Sequence, residues 1–344
     1  MHHLHIADHP GQQHVVLTRN GKPQEYYLHR PAAPDGAGDL HAGRVMAVVP
    51  AMAGAFVEIA GAEAFLPDSE APGGLTAGTI LAVRVTRAAH GGKGPRVSAR
   101  VEGVPVAGPV RLLQRGPTPL EELRAAYPEA PLSTAPFSDD LQSELDALAD
   151  PHFALPGGMR ATATPTPALT AIDLDGAAGT AARAGKASAQ YAANLAALPE
   201  LARQISLRNF GGAVLVDFAG MPAKRRAALQ APLQAALACD RMRPRLVGVS
   251  GLGFAEILRP RLRPPLHEKL QGPHAAGLAA LRLAAARATA CPAERLALRA
   301  TPAVISAMQA DSAALAALAH VTTHPLILRS DPALQGYQTV IEPA

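Results

Sequence analysis

The 344-residue chain has no tryptophan, 3% aromatic residues and two cysteines. Cys239 and Cys291 form no CxxC. Neither a disulfide scaffold nor a cysteine-based zinc site is indicated, and no structural zinc is expected. No apolar run reaches membrane-spanning length and no secretory leader is recognisable. No membrane-spanning segment is therefore expected, and the cytoplasm is the expected location. Charged residues are sparse at 17%, but hydrophobic ones reach 48%. That excludes a disordered chain and supplies core for two or three compact units. The net charge of +4 admits a polyanionic partner without demanding one. His2, His3, His5 and His9 crowd the N-terminus. They could catch a metal adventitiously, but a frayed terminus is the expectation and no role is assigned to them.

Among what is present, ALTAIDLDG, Ala168 to Gly176, is the stretch to organise the chain around. It reads as a short buried strand ending in acids. Alternate side chains share a face, so Leu169, Ala171, Asp173 and Asp175 point one way. Two carboxylates on one face repel each other, and a bound cation would remove that cost. Farther on, GGAVLVDFAGM repeats the arrangement, with Asp217 after an apolar strand. Two such strands make a platform for Mg²⁺, which favours carboxylate oxygens and keeps waters for chemistry. The competing reading of each acid is a helix N-cap or a turn residue.

The N-terminal residues alternate like strands around an Asn20-Gly21 hairpin turn. Several short strands with glycine turns follow, the pattern of a small closed barrel. Phe56 and Phe65 fall on its strands, with Arg84, Arg87, Lys93, Arg96 and Arg100 around them. Aromatics on a basic barrel face stack single-stranded bases in OB-folds; equally, both rings could be barrel core. Residues 103–135 are rich in proline and glycine and read as connection, with one helical turn at Leu120 to Ala126. Ser138 to Asp150 is an acidic amphipathic helix with Ser138 as N-cap. A helical stretch from Ala187 to Leu207 is expected to restart at Pro199, and another helix is expected from Ala223 to Cys239. The alternation of strand and helix implies an α/β layer. A basic run follows: Arg241, Arg243, Arg245, Arg259, Arg261, Arg263 and Lys269. It is either a solvated face or a holder of phosphates. The tail from Gly277 reads as alanine- and leucine-rich helices with two closing strands.

Four stretches carry a resemblance to a known family. They are GRVMAVVPAMAGAFVEI with AFLP and GGKGPR, then ALTAIDLDG, LARQISLRNFGGAVLVDFAGM and VSGLGFAEILRPRL. In that order they resemble the ribonuclease E/G endoribonucleases of bacteria, over most of residues 10 to 270. The resemblance implies an α+β multidomain fold. An OB-fold β-barrel of the ribosomal S-one type would bind RNA, inserted near the N-terminus of an α/β catalytic region with RNase-H-like and DNase-I-like parts. The implied divisions are 1–37, the N-terminal strands of a trimmed RNase-H-like fold; 38–102, the barrel; 103–155, linker and RNase-H-like remnant; 156–272, the DNase-I-like catalytic subdomain; and 273–344, a small C-terminal α/β domain.

By the same resemblance, Asp173 and Asp217 match two Mg²⁺-binding aspartates, and Asp175 stands where the family often has an asparagine that orients one of them. Phe56, Phe65 and Lys93 match positions that grip single-stranded RNA. Arg96 on the barrel and Arg241, Arg243 and Arg259 of the basic run complete the expected RNA contacts. The implied activity is Mg²⁺-dependent endonucleolytic cleavage of single-stranded RNA in rRNA processing or mRNA decay, leaving 5′-phosphate and 3′-hydroxyl ends. The rival is a catalytically inactive RNA-binding protein of the same descent; a third reading is a structural subunit of a degradation assembly. The family's zinc-link cysteines are replaced by RPPLHEKLQGPHAAG, so a homo-oligomer would form without a zinc-link. The segment after the barrel is too short for a domain that senses the RNA 5′ end.

Overall fold

The computed structural model describes residues 1–176 and 183–344. They form a mixed α+β structure of two compact units, residues 36–117 with 143–265, and residues 1–35 with 118–142 and 266–344.

The first of these units begins with a closed five-stranded barrel. Leu40–Val49 runs antiparallel to both Gly54–Ile59 and Ile80–Arg87. Ala62–Pro67 pairs with Gly54–Ile59, and the short strand Arg96–Ser98 joins Ala62–Pro67 to Ile80–Arg87, closing the circle. Val45, Ala55, Val57, Ile59, Ala64, Leu66, Val83, Val85 and Val97 fill the interior. The period-two pattern thus puts one side of every strand into a common apolar core.

The same unit holds a six-stranded sheet in the order His152–Leu155, Met159–Pro165, Leu169–Asp175, Gly212–Asp217, Ala255–Arg259, Arg245–Val249. The first strand lies in the 103–155 division expected to be linker and RNase-H-like remnant. Only the central pair, Leu169–Asp175 with Gly212–Asp217, is parallel. A parallel pair needs a crossover, and the helix Arg183–Leu207 lies on it. That helix does not restart at Pro199, contrary to expectation. Proline removes one donor and crowds the preceding turn. Leu198, Leu201 and Ile205 nevertheless keep one buried face across the proline, and tertiary packing outweighs the local cost. The expected helix from Ala223 is split into Ala223–Arg226, a 3₁₀ turn and Gln230–Leu237. Leu229, Leu233 and Leu237 join the crossover helix in covering one face of the sheet, against Ile172, Leu174, Val214, Val216 and Ile257.

The second unit carries a four-stranded sheet, Leu132–Ser133, His2–His9, Gln12–Arg19 and Lys22–His29. Asn20 and Gly21 both take positive φ, 53° and 78°, as a tight two-residue hairpin turn requires. The N-terminus is not frayed. His2–His9 pairs along its whole length with Gln12–Arg19 and on its other edge with Leu132–Ser133. Leu4 anchors it, buried with Val15, Leu17 and Leu123. His9 meets His14 edge-on at 4.8 Å, and His14 Nδ1 is 2.9 Å from the Tyr26 hydroxyl. Burial, with His9 and Arg282 nearby, pushes His14 down to about 3. A separate three-stranded sheet, Ile327–Ser330, Leu296–Ala300 and Thr339–Pro343, includes the two closing strands. Helices Pro273–Ala290, Pro302–Ala310 and Ser312–Ala319 share its core. Among the described residues no single helix is long and apolar enough to cross a membrane.

Candidate functional site

The two acid strands meet in register. Asp173 and Asp217 are direct partners across the parallel pair, at the C-terminal ends of both strands. On the first strand Ile172 and Leu174 are buried while Asp173 and Asp175 are exposed. The alternation that sends the aliphatics into the core therefore presents both acids on the open face. Thr162 faces Asp173 and Arg160 faces Asp175 from the antiparallel neighbour. Partial burial and the charges of Asp175 and Asp217 hold the Asp173 carboxyl above the usual carboxylate range.

Asp217 has a partner that spacing does not reveal. Arg226 forms an ion pair with its carboxylate. The same guanidinium donates to Met221 O at 2.7 Å and Gly253 O at 3.1 Å. The loop after Asp217 is tied to the crossover helix by buried Asn194, whose amide donates to Gln190 O at 2.8 Å and Ala219 O at 3.1 Å. Gly220 takes φ 60°, and a Cβ there would collide with the Gln190 amide. The donors on offer are carboxylate oxygens, the chemistry that suits a hard divalent cation. Among the described residues no group of three or more His, Cys, Asp or Glu is gathered closely enough to hold a metal alone. A cation here would complete its shell with water and phosphate oxygens, as Mg²⁺ commonly does.

On the barrel, Phe56 and Phe65 are register partners with ring centroids 5.7 Å apart at 67°. Both are half-buried, and their strand neighbours Ala55, Val57, Ala64 and Leu66 are the ones that point inward. The rings are thus outside the barrel core. A Cβ at Gly54 would collide with the Phe65 ring, so glycine there lets the ring lie against the strand. Arg96 is opposite Phe65 on the next strand. Lys93 is exposed and bridges to His90 across the preceding turn.

Residues 133–262 match the model of the Ribonuclease E/G family. The match includes both acid strands. This segment is similar to the Ribonuclease E/G family. Ribonuclease E of Escherichia coli K12 is 35% identical over 130 residues, 37% of this chain and 12% of that protein. Ribonuclease E of Synechocystis is 33% identical over 119 residues, 34% of this chain and 18% of that protein. Ribonuclease G of Escherichia coli K12 is 30% identical over 136 residues, 38% of this chain and 27% of that protein. The likeness thus spans roughly an eighth to a quarter of these relatives' lengths.

Within the segment that matches the family, several residues hold the fold. Arg259, expected to contact RNA, is instead almost fully buried. Its Nε donates to Asp240 at 2.6 Å and its Nη1 to Asn209 at 2.7 Å. The physical reason is its place on the strand: Ala255, Ile257 and Arg259 all point inward. Arg208 is also buried, donating to Leu148 O and Asp150 O at 2.8 and 2.7 Å and lying 4.8 Å over the Phe153 ring. Arg261 donates to Gly211 O and Ala168 O, and Asn209 to Arg263 O and Pro264 O. Arg243 and Arg245 are exposed and Arg241 half-buried, so these members of the basic run reach solvent.

Proposed function

We propose that this chain is a Mg²⁺-dependent endoribonuclease that cuts single-stranded RNA and leaves 5′-phosphate and 3′-hydroxyl ends, acting in RNA processing or decay in the cytoplasm. The observation that carries this reading is the in-register pairing of Asp173 and Asp217 inside a Ribonuclease E/G segment. The five-stranded barrel is read as an OB-fold inserted into a trimmed RNase-H-like fold, and the acid sheet as DNase-I-like. The sequence divisions at 37, 102, 155 and 272 are retained as its domain plan.

Asp173 and Asp217 would hold the cation, with Asp175 beside them. When bound, the metal supplies an activated water and neutralises charge on the scissile phosphate. Arg226 fixes Asp217 in place through three bonds of its own. Phe56 and Phe65 stack bases, Lys93 and Arg96 neutralise phosphates beside them, and Arg241 and Arg243 position the backbone. The rival, an inactive RNA-binding protein, has one observation in its favour: Asp217 already has an internal cation in Arg226. RNA cleavage by the purified chain that appears only with added Mg²⁺ separates the two.

Replacing Phe56 or Phe65 by alanine is expected to weaken single-strand binding by about 1–3 kcal/mol each. The melting temperature should change little, because both rings lie outside the barrel core. Affinity and thermal unfolding measured on each variant check this; a lowered melting temperature with unchanged affinity of the folded protein would contradict it.

Cleavage is expected to be indifferent to the RNA 5′ group. A sensor for a terminal phosphate needs several convergent charge-assisted bonds. In the connection after the barrel, Arg111 donates to Ala107 O and Pro109 O at 3.0 and 3.1 Å, and Arg115 to Asp39 at 2.9 Å. Both guanidinium groups are engaged by their own chain. RNAs with a 5′ monophosphate, triphosphate or hydroxyl should be cut within a few-fold of one another, roughly 1 kcal/mol of barrier. A preference on the order of a hundredfold for the monophosphate would mean a sensor exists.

A further inference from the structure

Four barrel strands contribute one residue each to a single transverse row. Phe56 faces Phe65, Phe65 faces Arg96, and Arg96 faces Arg87 as successive register partners. The pairing shifts between Val85 and Arg87, a bulge that brings Arg87 rather than Thr86 opposite Arg96, and neighbouring strands lie about 4.8 Å apart. Two rings are therefore followed by two guanidinium groups at strand spacing. Like charges directly opposite each other destabilise a sheet, so the Arg96–Arg87 pair is a cost to the fold. The protein offers Arg87 little in return. Its Nη2 reaches Gly94 O at 3.4 Å, and its buried Nε has no hydrogen-bond partner.

More positive charge lies where the row ends. Ala88 N donates to Leu262 O at 2.9 Å, which brings the end of the barrel strand against the segment carrying Arg261. The Arg261 guanidinium is 3.2 Å from His90 Nε2. Burial, with Arg96 and Arg261 nearby, pushes Arg87 below the ordinary arginine range. A guanidinium crowded by cations and short of acceptors is completed by an anion, and a phosphate supplies the acceptor oxygens.

We propose that Arg87 and Arg96 form a phosphate clamp. A single strand whose bases stack on Phe56 and Phe65 continues across the barrel, with a following phosphodiester held between these two guanidinium groups. The clamp rests on the reading of the barrel as the RNA-binding face. It adds Arg87 to that face and gives the bound strand a direction, from the strand Gly54–Ile59 toward the strand Ile80–Arg87.

The test is the affinity for a short oligoadenylate as a function of salt, measured on the full chain and on Arg87→Gln, Arg87→Lys and Phe65→Ala. Each phosphate contact on a single strand contributes about 0.7 to the slope of log affinity against log salt. Arg87→Gln should lower that slope by about 0.7, so that over a fourfold rise in salt the unaltered protein loses roughly 2.6-fold more affinity than the variant. Arg87→Lys should keep the slope, and Phe65→Ala should weaken binding at every salt concentration with the slope unchanged. Thermal unfolding of Arg87→Gln should occur no lower than that of the unaltered protein, because a like-charge contact has been relieved. An unchanged slope in Arg87→Gln, with Phe65→Ala still weakening binding, overturns the clamp and leaves the barrel reading standing. If Phe65→Ala also leaves affinity unchanged, the barrel reading falls and the clamp falls with it.

Discussion

Asp173→Asn and Asp217→Asn are each expected to abolish RNA cleavage while leaving RNA affinity nearly intact. The two carboxylates are register partners at the ends of adjacent parallel strands, so each supplies oxygen to the same small volume. A neutral amide contributes little to holding Mg²⁺, whose preferred ligands are charged oxygens. The fold should survive both changes, since Asp173 is exposed and the core beneath it is built from Ile172, Leu174, Val214 and Val216. Asp173→Asn should even relieve the burial of charge and the repulsion that together hold its carboxyl above the usual range. Asp217→Asn also strips the charge from the Arg226 pair. That pair is partly solvated, so the stability change should be small. Asp175→Asn should be milder than either. Cleavage rate and binding affinity, measured on the same preparations, check all three; near-normal turnover in Asp173→Asn or Asp217→Asn would remove the site.

Arg259→Ala is expected to be the most destabilising of the substitutions considered. The side chains of Arg259 and Asp240 are 1% and 4% exposed, and no solvent replaces the lost partner. Removing one member of a buried pair typically costs about 3–5 kcal/mol, because the other charge is left uncompensated. Asn209 loses a donor in the same step. Arg259→Lys should recover only part of the loss, since an ammonium group cannot span Asp240 and Asn209 as the planar fork does. Replacing Arg259 and Asp240 together by apolar residues should cost much less than Arg259→Ala alone. Chemical denaturation of the four proteins checks this. Normal stability in Arg259→Ala with weakened RNA binding would return the residue to the RNA-contacting set.

The contrast between these two sites shows what sequence pattern could and could not convey. The placement of Asp173 and Asp217 on their strands is legible because each ends an apolar run, and a period of two then fixes the face on which it stands. The barrel strands were legible for the same reason, with glycine turns marking their ends. For Arg259 the burial signal is present in the sequence: Ala255, Ile257 and Arg259 share a parity, and only the residue type suggests water. An arginine run looks the same whether its members face solvent or fold back on backbone carbonyls, as Arg261 and Arg263 do. The histidine-rich N-terminal strand was hidden because its polar residues mask a single anchoring leucine, Leu4. Arg226 could not be placed at all. Its pairing with Asp217 depends on the turn of chain between strand and helix, and no periodicity describes that turn.

The measurement that bears most directly on the central claim is the fate of a short single-stranded RNA incubated with the purified full chain, with and without Mg²⁺. The account predicts internal cleavage that requires the added cation, products with 5′-phosphate and 3′-hydroxyl ends, and no cleavage by Asp217→Asn. Tight binding of the intact RNA without cleavage at any Mg²⁺ concentration would contradict it and leave an RNA-binding protein that has kept the acid strands without their chemistry.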